Sequence, residues 1–335
     1  MKKRFISIFS FLALAIACFS GFAMNNVHAD AAASSRAECV IEVSSKRILS
    51  GRNQTQPLPM ASTTKVLTAC IILEDCDIDK VIKIPAEGVG IEGSSVYLKA
   101  NEEFSIRDLL YGLMLRSGND CAVTLALHHS GSIEKFARVM NERAAAMGAE
   151  DSYFANPHGL PHPKHHTTAR DLAVIAAHAM ENPAFCEIVS TKYYEPRGYY
   201  NKNKMLANYD GAIGVKTGFT MEAGRCLVTS AERGGMKLVS VVLNSPKMYE
   251  RSAQLLDTAF ENYHMTTLCN REIAIDKCRC LYDFIYPLTA AEEEKIVILT
   301  DLVSPLPTIA GEFAGQMKIM LENNLLFSQN LYIME

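Results

Sequence analysis

Three short segments constrain this chain most: Ser62-Thr63-Thr64-Lys65, Ser117-Gly118-Asn119 and Lys216-Thr217-Gly218. They read as S-x-x-K, S-x-N and K-T-G. A lone Ser-x-x-Lys is most simply a helix start with a serine cap and a solvated lysine. Three motifs in this order, with these wide gaps, call for a fold that gathers distant segments around one serine. The residue types fit the chemistry. A serine hydroxyl is a poor nucleophile until a base takes its proton. Residues three apart on a helix share a face, so Ser62 and Lys65 are neighbours. Lysine acts as a base only when neutral, which needs desolvation or a nearby cation. The apolar run at Val66 and Leu67 offers the first, and Lys216 offers the second. A helix N-terminus at Ser62 also aims backbone N–H groups at developing negative charge.

The start of the chain reads as a leader over residues 1–29. Met1-Lys2-Lys3-Arg4 precedes an apolar run from Phe5 to Ala17, and Val27-His28-Ala29 forms an A-x-A-like cleavage site. The run is too short for a permanent transmembrane helix. A rival lies at Ala15-Ile16-Ala17-Cys18, a lipoprotein-type site with Cys18 as the lipidated residue, although Ala stands where Leu is usual. Export is therefore expected, with the mature chain beginning at Asp30. That chain is long enough for one large core and a small second domain. With 33 basic against 37 acidic residues and no Lys/Arg run beyond the leader, nothing points to a nucleic-acid surface. Ten cysteines in an exported chain invite disulfides. Losing Cys18 leaves an odd number, however, and Cys70 and Cys121 lie in apolar helical patterns that suit buried free thiols. Cys278-Arg279-Cys280 is the one suspicious pair, read as unbridged on the expectation that its thiols face opposite sides of a strand.

Periodicity organises the rest. Glu38–Val43 and Arg47–Leu49 read as a strand pair, and Pro57-Leu58-Pro59-Met60 delivers Ser62 to a helix carrying Val66, Ala69, Cys70 and Leu73. Ser105-Ile106-Arg107-Asp108 and Thr168-Ala169-Arg170-Asp171 read as capping boxes, the first opening a helix that ends where Ser117-Gly118-Asn119 begins. Cys226–Ala231 and Lys237–Leu243 are strand-like, and Ser252–Tyr263 reads as a helix. After about Thr266, short β-like runs take over at Glu272–Ile275, Lys295–Leu299 and Gln316–Leu321. These divisions give a domain over residues 30–265 and a small β-rich domain over 266–335. Glu292-Glu293-Glu294-Lys295 reads as a solvated face.

The chain resembles the serine-type D-alanyl-D-alanine carboxypeptidases, the low-molecular-mass penicillin-binding proteins of peptidase family S11. Besides the three motifs, the likeness rests on Gly93-Ser94-Ser95, Asp120, Phe136–Asn141, Phe154-Ala155-Asn156-Pro157-His158-Gly159-Leu160, Thr168–Leu172 and Asn203 through Thr220. It covers residues 37–265, and the tail at Ile309-Ala310-Gly311 and Gly315 resembles the family's small β domain. The implied fold is α+β: a central antiparallel sheet flanked by helices, a helical lobe, and a β-rich C-terminal domain. In the implied roles Ser62 attacks the penultimate D-alanine carbonyl, Lys65 takes its proton and Ser117 relays one to the leaving D-alanine. Asn119 binds the peptide amide, Lys216 and Thr217 meet the terminal carboxylate, and Gly218 lets the strand approach. Ser62 and Phe219 supply the oxyanion-hole N–H groups. The implied partners are wall stem peptides ending in D-Ala-D-Ala and β-lactams as covalent inhibitors, with no cofactor and no metal.

Three departures bear on substrate affinity. Asn101 replaces a usual glycine, His166 a usual tyrosine, and Lys202 stands where an arginine would fork onto the carboxylate. His158, His162, His165 and His166 resemble a metal cluster, but glycine and prolines interrupt any regular ligand face, so the segment reads as a structural loop. Two rival functions share the motifs. A class A-like β-lactamase needs an acid to activate water, and Phe154–Leu160 has no glutamate. A catalytically silent cell-wall scaffold would lack a nucleophile or base, whereas Ser62, Lys65, Ser117, Asn119 and Lys216 are intact. The last residues show no basic amphipathic stretch that would lie on a membrane.

Overall fold

Alternate residues of the strand Ala37–Glu42 feed two separate cores, which places this strand inside a sheet covered on both faces. Cys39 and Ile41 pack with Val228, Val239 and Val241, whereas Val40 packs with Leu227, Leu238 and Val242 on the opposite face. The computed structural model describes residues 35–271 and 277–334. The expected leader, Cys18 and the run Glu272–Ile275 lie outside the described residues.

The central sheet has five strands in the order Ile48–Arg52, Ala37–Glu42, Met236–Leu243, Gly224–Arg233 and Ala212–Thr220, each antiparallel to its neighbours. The chain leaves this sheet after Arg52, builds the helical lobe, and returns only at Ala212 as an edge strand. That return puts Lys216-Thr217-Gly218 on the sheet edge facing the lobe. One sheet face is covered by Ala169–Ala179 and Pro183–Ser190, the other by Met248–Asn262. The helix on that second face begins at Met248, four residues before the expected Ser252.

Lys65–Asp75 is the central helix of the lobe, with every residue from Lys65 to Ile72 buried. Ser105 caps Ile106–Leu115 by accepting from Asp108 N at 3.0 Å, and Thr168 caps Ala169–Ala179 by accepting from Asp171 N at 3.0 Å. The expected capping boxes are only half formed. An aspartate is one methylene shorter than the glutamate that reaches back to a cap. Asp108 turns instead to Tyr194 and Arg197, and Asp171 to Asp151 N and Ser152.

Past Tyr263 the chain enters a β-rich unit. His264–Cys269 pairs with Phe284–Leu288, and four strands follow in the order Cys278–Cys280, Asn324–Ile333, Phe313–Leu321 and Ile296–Leu302. Met317 and Ile319 fill its core with Cys269, Cys278 and Cys280. Two expectations are corrected here. Cys278 and Cys280 are both buried on one face with Arg279 exposed between them, because residues two apart on a strand share a face. No disulfide joins the two. The run Glu292–Lys295 is a solvated face only in part, with Glu294 and Lys295 exposed but Glu292 engaged. Thr289 and Glu292 form a true capping box, and Glu292 pairs with Arg47 of the larger domain. The Arg47 guanidinium also donates to Pro287 O and lies over Tyr263 and Tyr286, so it clamps the two domains together.

Candidate active site

Ser62 lies in a single 3-10 turn, Ala61–Thr64, that leads straight into the helix beginning at Lys65. The two threonines between Ser62 and Lys65 fix that turn. Thr63 Oγ1 donates to Met60 O at 2.6 Å, and Thr64 Oγ1 donates to Ala61 O at 2.8 Å. Ala61 itself has φ +50°, a left-handed conformation unusual for a residue with a Cβ. Such strain persists only where the surroundings enforce it, and it sits immediately before Ser62. Part of the enforcement is the paired backbone contact between Leu58 and Thr167.

Lys65 is the centre of the site. Its side chain is fully buried, yet its amine has three polar partners. Nζ donates to Asn119 Oδ1 at 2.7 Å and His158 O at 2.7 Å and lies 3.0 Å from Ser62 Oγ, whose hydroxyl donates to the amine when it is neutral. Burial pulls its pKa well below the ordinary lysine value, and the Lys216 charge pushes it further down. Lys216 is likewise buried, with Nζ donating to Thr217 O at 2.9 Å, and burial brings its pKa down to about 7, with Lys202 adding to the shift. Burial thus favours the neutral amine at Lys65, against the serine, beside a second amine poised to carry charge.

Ser117 occupies the turn between Ile106–Leu115 and Asn119–Ser130, in a left-handed conformation at φ +65°. It is buried between the two helices, but its hydroxyl takes no part in the hydrogen bonds of either lysine. Asn119 has both ends of its amide engaged, Oδ1 by Lys65 and Nδ2 by Glu92 O at 2.6 Å. Gly218 shows why a glycine stands on the edge strand. A Cβ there would lie 3.1 Å from Met60 O and 3.2 Å from both Ser62 N and Thr63 N. The K-T-G strand thus runs against the backbone of the serine turn. Phe219 follows, its ring exposed and in contact with Arg225. Lys202 lies at the rim, with Nζ 3.4 Å from Ser94 Oγ.

Three contributors escaped the sequence reading. His158 presents a backbone carbonyl to Lys65, which no side-chain pattern announces. His165 joins Thr64 Oγ1 at 2.8 Å and accepts from Ala155 N at 3.0 Å. Burial holds the His158 pKa down to about 3 and that of His165 to about 4, so both rings are neutral near pH 7. Asp120 is the third. Its buried carboxylate accepts from Ser95 Oγ at 2.6 Å, Val96 N at 3.0 Å and Leu98 N at 3.2 Å, while Asn119 N donates to Ser94 O. Asp120 therefore pins the loop that carries Ser94 to the helix that carries Asn119. Asp120→Ala is expected to release that loop and lower kcat/KM by roughly 10–100-fold, since small displacements of a site are costly. Steady-state kinetics on the folded variant, with limited proteolysis at residues 94–98, check this.

The comparisons with known proteins agree on one family. The family model for peptidase S11, D-alanyl-D-alanine carboxypeptidase, matches residues 23–247. The chain is 32% identical over 257 residues to D-alanyl-D-alanine carboxypeptidase DacF of Bacillus subtilis, spanning 72% of this chain and 66% of that one. It is 35% identical over 239 residues to DacB2 of Mycobacterium tuberculosis, covering 66% and 80% of the two chains. Among solved structures, penicillin binding protein 5 from Haemophilus influenzae superposes over 90% of this chain and 96% of its own, with a TM-score of 0.75 at 26% identity.

Proposed function

The chain belongs to the D-alanyl-D-alanine carboxypeptidase family of serine peptidases, and from that membership we propose that it trims the terminal D-alanine from wall stem peptides through an acyl-enzyme on Ser62. The observation that carries this reading is the fully buried Lys65 amine, 3.0 Å from Ser62 Oγ. Neutral Lys65 accepts the hydroxyl proton as Oγ attacks the carbonyl of the penultimate D-alanine. The oxyanion meets the N–H groups of Ser62 and Phe219. A proton passes to the departing D-alanine nitrogen through Ser117 as the amide bond breaks. Water then attacks the ester and gives a proton to Lys65, which passes it to Ser62 Oγ as the ester bond breaks, releasing the shortened peptide and restoring both residues. Lys216, Thr217 and Lys202 receive the substrate's terminal carboxylate, and Asn119 its amide. A β-lactam presents a strained amide beside a carboxylate and acylates the same serine. The leader-like start supports action outside the cytoplasmic membrane, and N-terminal sequencing of exported protein should begin at Asp30.

Release of D-alanine from a peptide ending in D-Ala-D-Ala tests the activity. Wild-type protein should release it and Ser62→Ala should not; no release by wild type would refute the reading. The two lysines also predict a pH profile. Acylation needs Lys65 neutral, so kcat/KM rises as pH climbs through its depressed pKa. Substrate capture needs Lys216 charged, so kcat/KM falls as pH rises past about 7. Lys216→Arg keeps its charge at all relevant pH and should remove the alkaline limb. A limb unmoved in that variant would assign it to another group.

A further inference from the structure

Away from the catalytic cleft, the far end of the Lys65–Asp75 helix meets the helix Ala169–Ala179 through three side chains of mixed chemistry. Cys70 and Glu74 are four residues apart and share one helix face, and His178 reaches them from the neighbouring helix. Cys70 Sγ lies 3.1 Å from Glu74 Oε1, and His178 Nε2 lies 2.9 Å from the same oxygen. The three ligand atoms all fall within 4.8 Å of one another. Ligands held about 2.0–2.3 Å from a tetrahedral zinc sit roughly 3.5 Å apart, so modest side-chain adjustment would admit an ion.

We propose that Cys70, Glu74 and His178 form a three-ligand site for a zinc-class divalent cation that ties the helix Lys65–Asp75 to Ala169–Ala179. A thiolate and an imidazole select a borderline transition metal over magnesium or calcium, and one carboxylate completes a neutral set around a +2 ion. Water takes the fourth position. The groups around the three ligands suit this arrangement. Arg143 holds the other carboxylate oxygen, Oε2, at 2.7 Å, which leaves Oε1 to bind in monodentate fashion. The second arm of Arg143 is neutralised by Asp75, which also contacts His129. Glu181 lies 3.9 Å from the second imidazole nitrogen, Nδ1, where a carboxylate orients a metal-bound histidine, and Lys46 pairs with Glu181. With no ion bound, burial and Glu74 hold the Cys70 thiol protonated. Binding therefore forms a metal–sulfur bond and releases the thiol proton to solvent.

Titration of the reduced full chain with Co²⁺, followed by electronic absorption, tests the site. One equivalent should produce a thiolate-to-cobalt charge-transfer band that Zn²⁺ abolishes. Cys70→Ser should lose the band. His178→Ala, at a half-exposed position that folding tolerates, should bind at least tenfold more weakly. β-Lactam acylation should be unchanged in His178→Ala, which separates this site from the catalytic reading. Absence of the band in folded wild-type protein, or its persistence undiminished in either variant, would overturn the proposal.

Discussion

Lys65→Met is expected to slow acylation of Ser62 by roughly 10³–10⁴-fold, the upper part of the roughly 10²–10⁴-fold that general-base catalysis supplies. Methionine keeps an unbranched apolar stem in the buried channel and removes only the amine. About 4–5.5 kcal/mol of transition-state stabilisation is at stake, at 1.36 kcal/mol per factor of ten. The loss follows from geometry, because Lys65 Nζ is the group placed 3.0 Å from the hydroxyl it must deprotonate. Asn119 Oδ1 and His158 O would also lose their donor, so the rate should be read on protein whose circular dichroism matches wild type. The check is the second-order rate of benzylpenicillin acylation. A rate within tenfold of wild type would remove Lys65 from its role as base.

Gly159→Ala should destabilise the fold by about 4 kcal/mol. Gly159 adopts φ +88°, where a Cβ is strained, and that Cβ would lie 1.9 Å from Ala61 O and 2.4 Å from Ala61 C. Both neighbours are backbone, so no rotamer change relieves the clash. Backbone strain of about 1–3 kcal/mol adds to overpacking of about 1–3 kcal/mol. The displaced atoms belong to the residue before Ser62 and to the loop that offers His158 O to Lys65. Acylation should therefore fall further than stability alone explains. Urea unfolding of the variant, with acylation measured well below its midpoint, separates the two effects.

Much of this site was legible because its chemistry is carried by side chains in fixed local patterns. Ser62 and Lys65 share a face by helical spacing, Ser105 and Thr168 cap the expected helices, and the strand pair expected at Glu38–Val43 and Arg47–Leu49 forms at Ala37–Glu42 and Ile48–Arg52. Contacts made by backbone or across long sequence gaps left no such trace. The carbonyl of His158, the loop pinned by Asp120, and the left-handed turn at Ala61, which carries no glycine to announce it, emerge only once the lobe is folded. Arg47 and Glu292 are far apart in sequence, so nothing marked the first residue of an otherwise solvent-facing run as an interdomain clamp. The misplacement of Cys278 and Cys280 had a different cause, since a period of two should have put them on one face.

The most direct measurement is intact-mass spectrometry of the protein after brief exposure to benzylpenicillin, sampled over time beside Ser62→Ala. A persistent adduct of one drug molecule, absent from the variant, is the predicted result. An adduct that survives in Ser62→Ala would place the nucleophile elsewhere. No adduct with rapid loss of free drug would mean a β-lactamase, and no adduct with the drug intact would contradict the serine mechanism altogether.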